Sequence, residues 1–148
     1  MSHTFDFLLA GQQAKKLLER LCEEQLPGCG LRQVELEILY FLCEAGAGDT
    51  ASEILRAWHL SKAHISKSVD NLRRGGYILL CEDAGDHRLV HLRPTPSARA
   101  LAGRYAAVRA AALERIFAGV TPEERAAVRR AAEKIHRNLC AELDDHPL

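Results

Sequence analysis

Ser66, Lys67 and Asn71, three side chains that can hydrogen-bond the edges of bases, fall within one short stretch from Ser61 to Arg74. At about 100° per residue the stretch reads as a helix with Ile65, Val69 and Leu72 on one face, which should bury. The opposite face carries Ala63, Lys67, Asp70 and Arg74, with Ser66 and His64 to either side and Asn71 near His64. Lysine suits guanine O6 and N7, asparagine suits adenine, serine suits either, and the methyl of Ala63 can touch a thymine methyl. Lys62 and the free amides of a helix N-terminus capped by Ser61 suit a phosphate. Taken alone, such a face is more readily a solvated helix surface.

The neighbouring elements give the helix a more specific meaning. Before it, Thr50-Ala51-Ser52-Glu53 has the form of a capping box that opens a short helix to about Trp58, and Leu60-Ser61 makes a tight turn. After it come Gly75-Gly76, a strand Tyr77–Cys81, a charged tip Asp83-Ala84-Gly85-Asp86-His87-Arg88 and a second strand Leu89–Arg93. Two capped helices joined by a turn and followed by a basic-tipped hairpin form the layout of a winged helix-turn-helix. In that layout the second helix enters the major groove of double-stranded DNA while the hairpin reaches the backbone or the minor groove. Arg88 is the expected contact at the hairpin tip, in a narrow minor groove or on a phosphate, with Asp86 able to hold it or a neighbouring arginine and His87 beside it.

The rest of the chain reads as helix. An amphipathic pattern runs from about His3 to Leu26 and ends at Pro27-Gly28-Cys29-Gly30. A second helix spans about Arg32 to Glu44 and is stopped by Gly46-Ala47-Gly48. Thr95-Pro96 opens an Ala-rich helix to about Ala118, and Thr121-Pro122-Glu123-Glu124 opens a last one to about Leu143. The expected fold class is therefore mostly α (α+β), with about six helices and a two-stranded β-hairpin wing. The segment Phe5-Asp6-Phe7-Leu8-Leu9-Ala10 is apolar nearly all round, which a surface helix does not favour. It and the Ala-rich helix call for a shared surface, and a homodimer would supply one.

The composition sets outer limits. The formal net charge is zero, so general coating of nucleic acid is not expected. Yet between Arg56 and Arg93 seven basic residues outnumber the four acids Asp70, Glu82, Asp83 and Asp86. No apolar run approaches the roughly 20 residues of a membrane span, and the start lacks a basic leader, so a cytoplasmic protein is expected. Five cysteines with no CxxC pair speak against a disulfide framework or a zinc ribbon. Most should be small buried hydrophobes. Cys22 and Cys29, which flank the break at Pro27-Gly28, are the candidates for a redox-sensing thiol.

Three rival readings use the same residues. Gly46-Ala47-Gly48-Asp49-Thr50-Ala51 fits a loose dinucleotide fingerprint after the apolar run Ile38–Cys43, with Asp70 further on. The run has helical spacing, however, no second strand-helix-strand unit follows, and no other catalytic motif is present, so an enzyme is not expected and no cofactor is implied. His87 with His91, or His59 with His64, would be the histidines of a zinc-responsive regulator, although their spacing fits no standard site. A winged helix that binds only protein is disfavoured by the Lys67 face and the Arg88 tip.

The residues resemble the MarR family of multiple antibiotic resistance regulators. The resemblance runs through Leu31-Arg32-Gln33-Val34-Glu35-Leu36-Glu37-Ile38-Leu39, Thr50-Ala51-Ser52-Glu53-Ile54, the stretch from Leu60 to Leu72, Gly76-Tyr77-Ile78, Asp86-His87-Arg88 and Thr95-Pro96. It implies one MarR-like domain over 1–148, with 31–95 as the winged DNA-binding region and 1–30 and 96–148 as long dimerisation helices. It further implies a homodimeric repressor on a palindromic operator, released by a small-molecule effector or an oxidant. Leu79, Leu80 and Cys81 stand where the family usually has a basic residue near the first wing strand. Glu82 and Asp83 add acid beside Asp86, so a weaker positive field is expected at the wing. Arg93-Pro94 replaces the customary apolar residue before Thr-Pro.

Overall fold

A computed structural model describes residues 5–45, 49–58 and 61–145. Its order is α1 (Phe7–Gln25), α2 (Gln33–Tyr40), a π-helical turn (Phe41–Ala45), α3 (Ala51–Trp58), α4 (Lys62–Arg74), β1 (Ile78–Glu82), β2 (Val90–Pro94), α5 (Pro96–Ile116) and α6 (Pro122–Asp145). This is the mostly helical winged architecture expected from the sequence. The expected stop at Gly46-Ala47-Gly48 and the residue Leu60 of the expected turn lie outside the described residues.

Local chemistry accounts for the boundaries. The Asp6 carboxylate caps α1 by accepting from the amides of Leu8 and Leu9 at 3.0 and 3.1 Å. The helix therefore starts later than the apolar pattern alone suggests. The Thr50 hydroxyl accepts from the Glu53 amide at 3.2 Å while Glu53 accepts from the Thr50 amide at 3.0 Å, so the expected capping box is complete. Thr121 and Glu124 repeat it at the head of α6. At the end of α4, Gly76 takes a φ of 77°, Tyr77 N–H reaches the Leu72 carbonyl and Gly76 N–H reaches that of Arg73. That pair of bonds requires a left-handed residue at Gly76, where a side chain would strain. The hairpin pairs antiparallel with Leu80 opposite Leu92 and Cys81 opposite His91, each strand set one residue later than expected. Beyond β2, His91 bridges to Thr50 and Leu92 N–H donates to the Asp49 carbonyl at 2.7 Å. The segment before α3 thus covers the edge of β2.

The chain divides into two compact units, one ending at Ala112 and one beginning at Leu113. The first holds the core. Leu21, Leu36, Ile38, Leu39, Ile54, Ile65, Leu72, Ile78, Leu92 and Tyr105 are essentially sealed from solvent. Burying each aliphatic side chain there stabilises by roughly 1.5–3 kcal/mol. A polar joint links α2 to α5. The buried Tyr105 hydroxyl donates to Glu37 and accepts from Gln33 Nε2 at 2.8 Å. Arg109 meets both Glu37 oxygens at 2.9 Å and lies 4.4 Å from the centre of the Tyr40 ring. In the second unit, Arg125 donates to the carbonyls of Phe117 and Val120 and so closes the turn before α6. No described side chain of α6 is buried, and Val128, Ile135, Leu139 and Leu143 stand exposed at helical spacing.

Candidate nucleic-acid interface

Helix α4 has one sealed side and one open side. Ser61 sits in extended backbone and accepts from the His64 amide at 3.1 Å, which fixes the first turn. Ile65, Ser68 and Leu72 are buried. Ser61, Lys62, Ala63, His64, Ser66, Lys67 and Arg74 are all exposed, as the sequence led one to expect. Val69, expected on the inner face, is only half-buried, and Ser68 takes the deeper place. Lys62 and Lys67 form no ion pair among the described residues, so their charges remain available to a phosphate or a base edge. Arg73 and Arg74 both close on Asp70, at 2.8 and 2.9 Å, and the Arg73 bond chiefly holds the Asp70 carboxyl below its usual range.

Asn71 requires a correction. The sequence places it on the base-reading side near His64, but its amide turns inward and donates to Glu35 Oε1 at 2.9 Å. Glu35 is 2% exposed and also accepts from Arg32 N–H and Arg32 Nε, each at 3.0 Å. Arg32 continues to the Ser68 hydroxyl at 3.2 Å. Burial alone would raise the Glu35 carboxyl, but the Asn71 and Arg32 hydrogen bonds outweigh it and hold the group below the ordinary range. A buried carboxylate needs such donors, and Asn71 is the donor that α4 supplies.

The wing tip is ordered by its acids. Asp83 Oδ2 accepts from the amides of Gly85 and Asp86, both at 2.9 Å. Asp86 Oδ1 accepts from Arg88 N–H at 3.0 Å and stands 3.4 Å from Arg88 Nε. The Arg88 side chain is nonetheless 94% exposed, and His87, 3.3 Å from Glu82, is nearly as open. The tip therefore presents a basic side chain from a turn rich in acid, consistent with the weak positive field expected there. His91 joins the wing to the head of α3: Nδ1 lies 2.7 Å from Asp49 and Nε2 2.8 Å from Asp83. The bonds to Asp49 and then Asp83 raise the imidazole above its ordinary value. At the wing's root the Thr95 hydroxyl contacts the carbonyls of Gly76 and Tyr77 and accepts from the Ala98 amide.

Other candidates fare differently. Cys22 is buried, and desolvation chiefly pushes its thiol up to about 11, which disfavours the thiolate. Cys29 is half-buried. Both line a cavity of about 640 Å³ formed by the end of α1, the Pro27–Gly30 turn and the start of α2, with Leu26, Leu31, Arg32 and Leu36. Ile38–Cys43 is helical and Asp70 belongs to α4, so the dinucleotide fingerprint has no strand to rest on. His91 has both ring nitrogens on carboxylates, and among the described residues no three His, Cys, Asp or Glu side chains are arranged to hold a metal ion. His59 of the other proposed pair lies outside the described residues.

Sequence reasoning missed Glu35 and Ser68, and it weighed His91 only as a metal ligand. Ser68 carried a visible signal, since it lies three residues after Ile65 and four before Leu72. Glu35 carried a weaker one, an acid facing an apolar helix.

Comparison with known proteins follows the same outline. A family model described as the MarR family matches residues 30–89. No curated protein matches the chain. Among solved structures, a MarR protein from Peptoclostridium difficile is similar with a TM-score of 0.80 at 21% identity, over 98% of each chain. A MarR family transcriptional regulator from Listeria monocytogenes, solved with a 26mer DNA, gives a TM-score of 0.83 at 17% identity, over 95% of this chain and 92% of that one. BpsR of Bordetella bronchiseptica, whose DNA binding is regulated by 6-hydroxynicotinic acid, gives 0.70 at 18% identity, over 91% and 97%. The family match is confined to the winged region, and over the rest of the chain the likeness is one of fold: the architecture is that of the MarR structures.

Proposed function

We propose that the protein is a sequence-specific double-stranded DNA-binding regulator that acts as a homodimeric repressor in the cytoplasm. The observation that carries this reading is the two-sidedness of α4: Ile65, Ser68 and Leu72 are sealed while Lys62 and Lys67 are open and form no ion pair among the described residues. Ser61, Lys62 and the first amides of α4 would hold a phosphate, with Ala63, His64, Ser66 and Lys67 toward the bases. Arg74 and the wing residues His87 and Arg88 would lie along the backbone or the minor groove. The DNA complex of the Listeria relative supports the same use of this fold. No described helix is long and apolar enough to cross a membrane.

Dimerisation is supported by two separate apolar surfaces. Phe5, Phe7, Leu8 and Leu9 are at least half exposed, and α6 displays its stripe from Val128 to Leu143. Apolar surface of that extent is covered in a stable protein, and a two-fold pair would match a palindromic site. A small ligand that relieves repression is supported by the Bordetella relative and by the cavity beside Arg32, which is of ligand size. Selection of bound duplexes from a random library, with and without added ligand or oxidant, tests the reading. A palindromic consensus is expected, with binding that weakens steeply as salt rises. Recovery of no consensus at any salt would overturn it.

A further inference from the structure

We propose that Asn71 is a positioning residue and not a base reader: with Glu35 and Arg32 it fixes the rotation of α4 about its own axis. The inference rests on the DNA-reading function proposed above and assigns the part that aims the reading face.

The apolar contacts of α4, at Ile65 and Leu72, are non-directional and tolerate small rotations. Hydrogen bonds do not, because they weaken steeply as their angle departs from linear. The two polar bonds from α2 and its cap reach α4 at Ser68 and Asn71, which stand about 60° apart around the helix, both to one side of the Ile65–Leu72 line. Both come from one connected unit, buried at Glu35 and open at Arg32, since Glu35 Oε1 accepts from Asn71 and from Arg32 Nε, and Arg32 then donates to Ser68. A rotation of α4 about its axis carries both acceptor and donor away from partners fixed on the α2 side, so it bends both bonds. Lys67 lies one turn before Asn71, so the angle at which it meets a base edge is set by this joint. Asn71 commits one of its two amide hydrogens to Glu35, which holds its side chain toward α2.

Reversing the polarity of the bond separates the two roles. Asn71→Asp sets two carboxylates against each other, and adding Glu35→Gln restores one donor and one acceptor with the pair's original charge. Selectivity is read as the ratio of affinities for the selected site and for a scrambled duplex, at a temperature where circular dichroism shows every variant folded. Asn71→Asp is expected to lower that ratio about tenfold while binding to scrambled DNA changes little, and the double variant is expected to recover it. A folded protein merely less stable would keep the ratio. A double variant no more selective than Asn71→Asp alone would overturn the inference, as would full selectivity in Asn71→Asp. A second measurement needs no variant: the Asn71 side-chain amide resonances of the unsubstituted protein should hold their positions when the selected site binds. A contact from that amide to a base would overturn the proposal. Failure of the unsubstituted protein to prefer any sequence would instead remove the DNA-reading function, and the inference with it.

Discussion

Helix α4 and the wing are adjacent in sequence yet are held by opposite means. Packing and buried hydrogen bonds fix α4, through Leu72, Ile65 and the Glu35 joint. Half-exposed or open charges hold the tip of the wing, whose strands are seated in the core by Ile78 and Leu92, through His91 between Asp49 and Asp83, Asp86 on Arg88, and Glu82 on His87. Buried bonds are screened little by salt and do not titrate near neutrality, whereas exposed pairs are worth under about 1 kcal/mol and are screened. One contact element is therefore rigid across solution conditions and the other is adjustable.

The contrast can be broken at four points. Leu72→Ala should cost about 2–5 kcal/mol of stability, read by urea unfolding, because it opens a cavity under α4. A loss below about 1 kcal/mol would show that α4 is not seated by packing. Lys67→Ala should leave stability unchanged and reduce discrimination at one base position by about 1–3 kcal/mol in competition binding. Arg88→Ala should weaken selected and scrambled duplexes alike and lower the salt slope by about one. A base-specific effect would move Arg88 from the backbone to a groove.

The smallest effect concerns His91. Its imidazole is raised, so the clamp on Asp83 is fully present below the ordinary histidine value of about 6.5 and is lost as pH rises through the higher folded value. Asp83 is lowered, chiefly by its bond to His91, so its contribution is present above the ordinary aspartate value and is lost only as pH falls through a still lower one. Amide exchange at Gly85 and Asp86 should accelerate from neutral toward alkaline pH beyond the ordinary base catalysis of exchange. His91→Gln should remove that excess while leaving α4 amides alone. An equal response in α4 would show that the two elements are not separately held.

The legibility of the chain follows the same division. Thr50 with Glu53, Thr121 with Glu124, Ser61 and Gly76 act within a few residues of themselves, and the sequence placed all of them. The open side of α4 was legible because helical period alone separates Lys67 from Ile65 and Leu72. Asn71 was misplaced because its partner, Glu35, is 36 residues away and nothing local announces a buried acceptor. His91 was weighed as a metal ligand because its carboxylates come from a distant loop and from across the hairpin. The late start of α1 reflects a single aspartate cap competing with an apolar run.

Thr95 lies where three elements meet. Its side chain touches the last turn of α4 through Gly76 and the root of β1 through Tyr77, and it caps the head of α5. Such a joint ties α4, the hairpin and the rod that follows to one side chain. A tilt at the head of α5 is therefore delivered to α4 and the wing at once, as by a lever pinned through one oxygen atom.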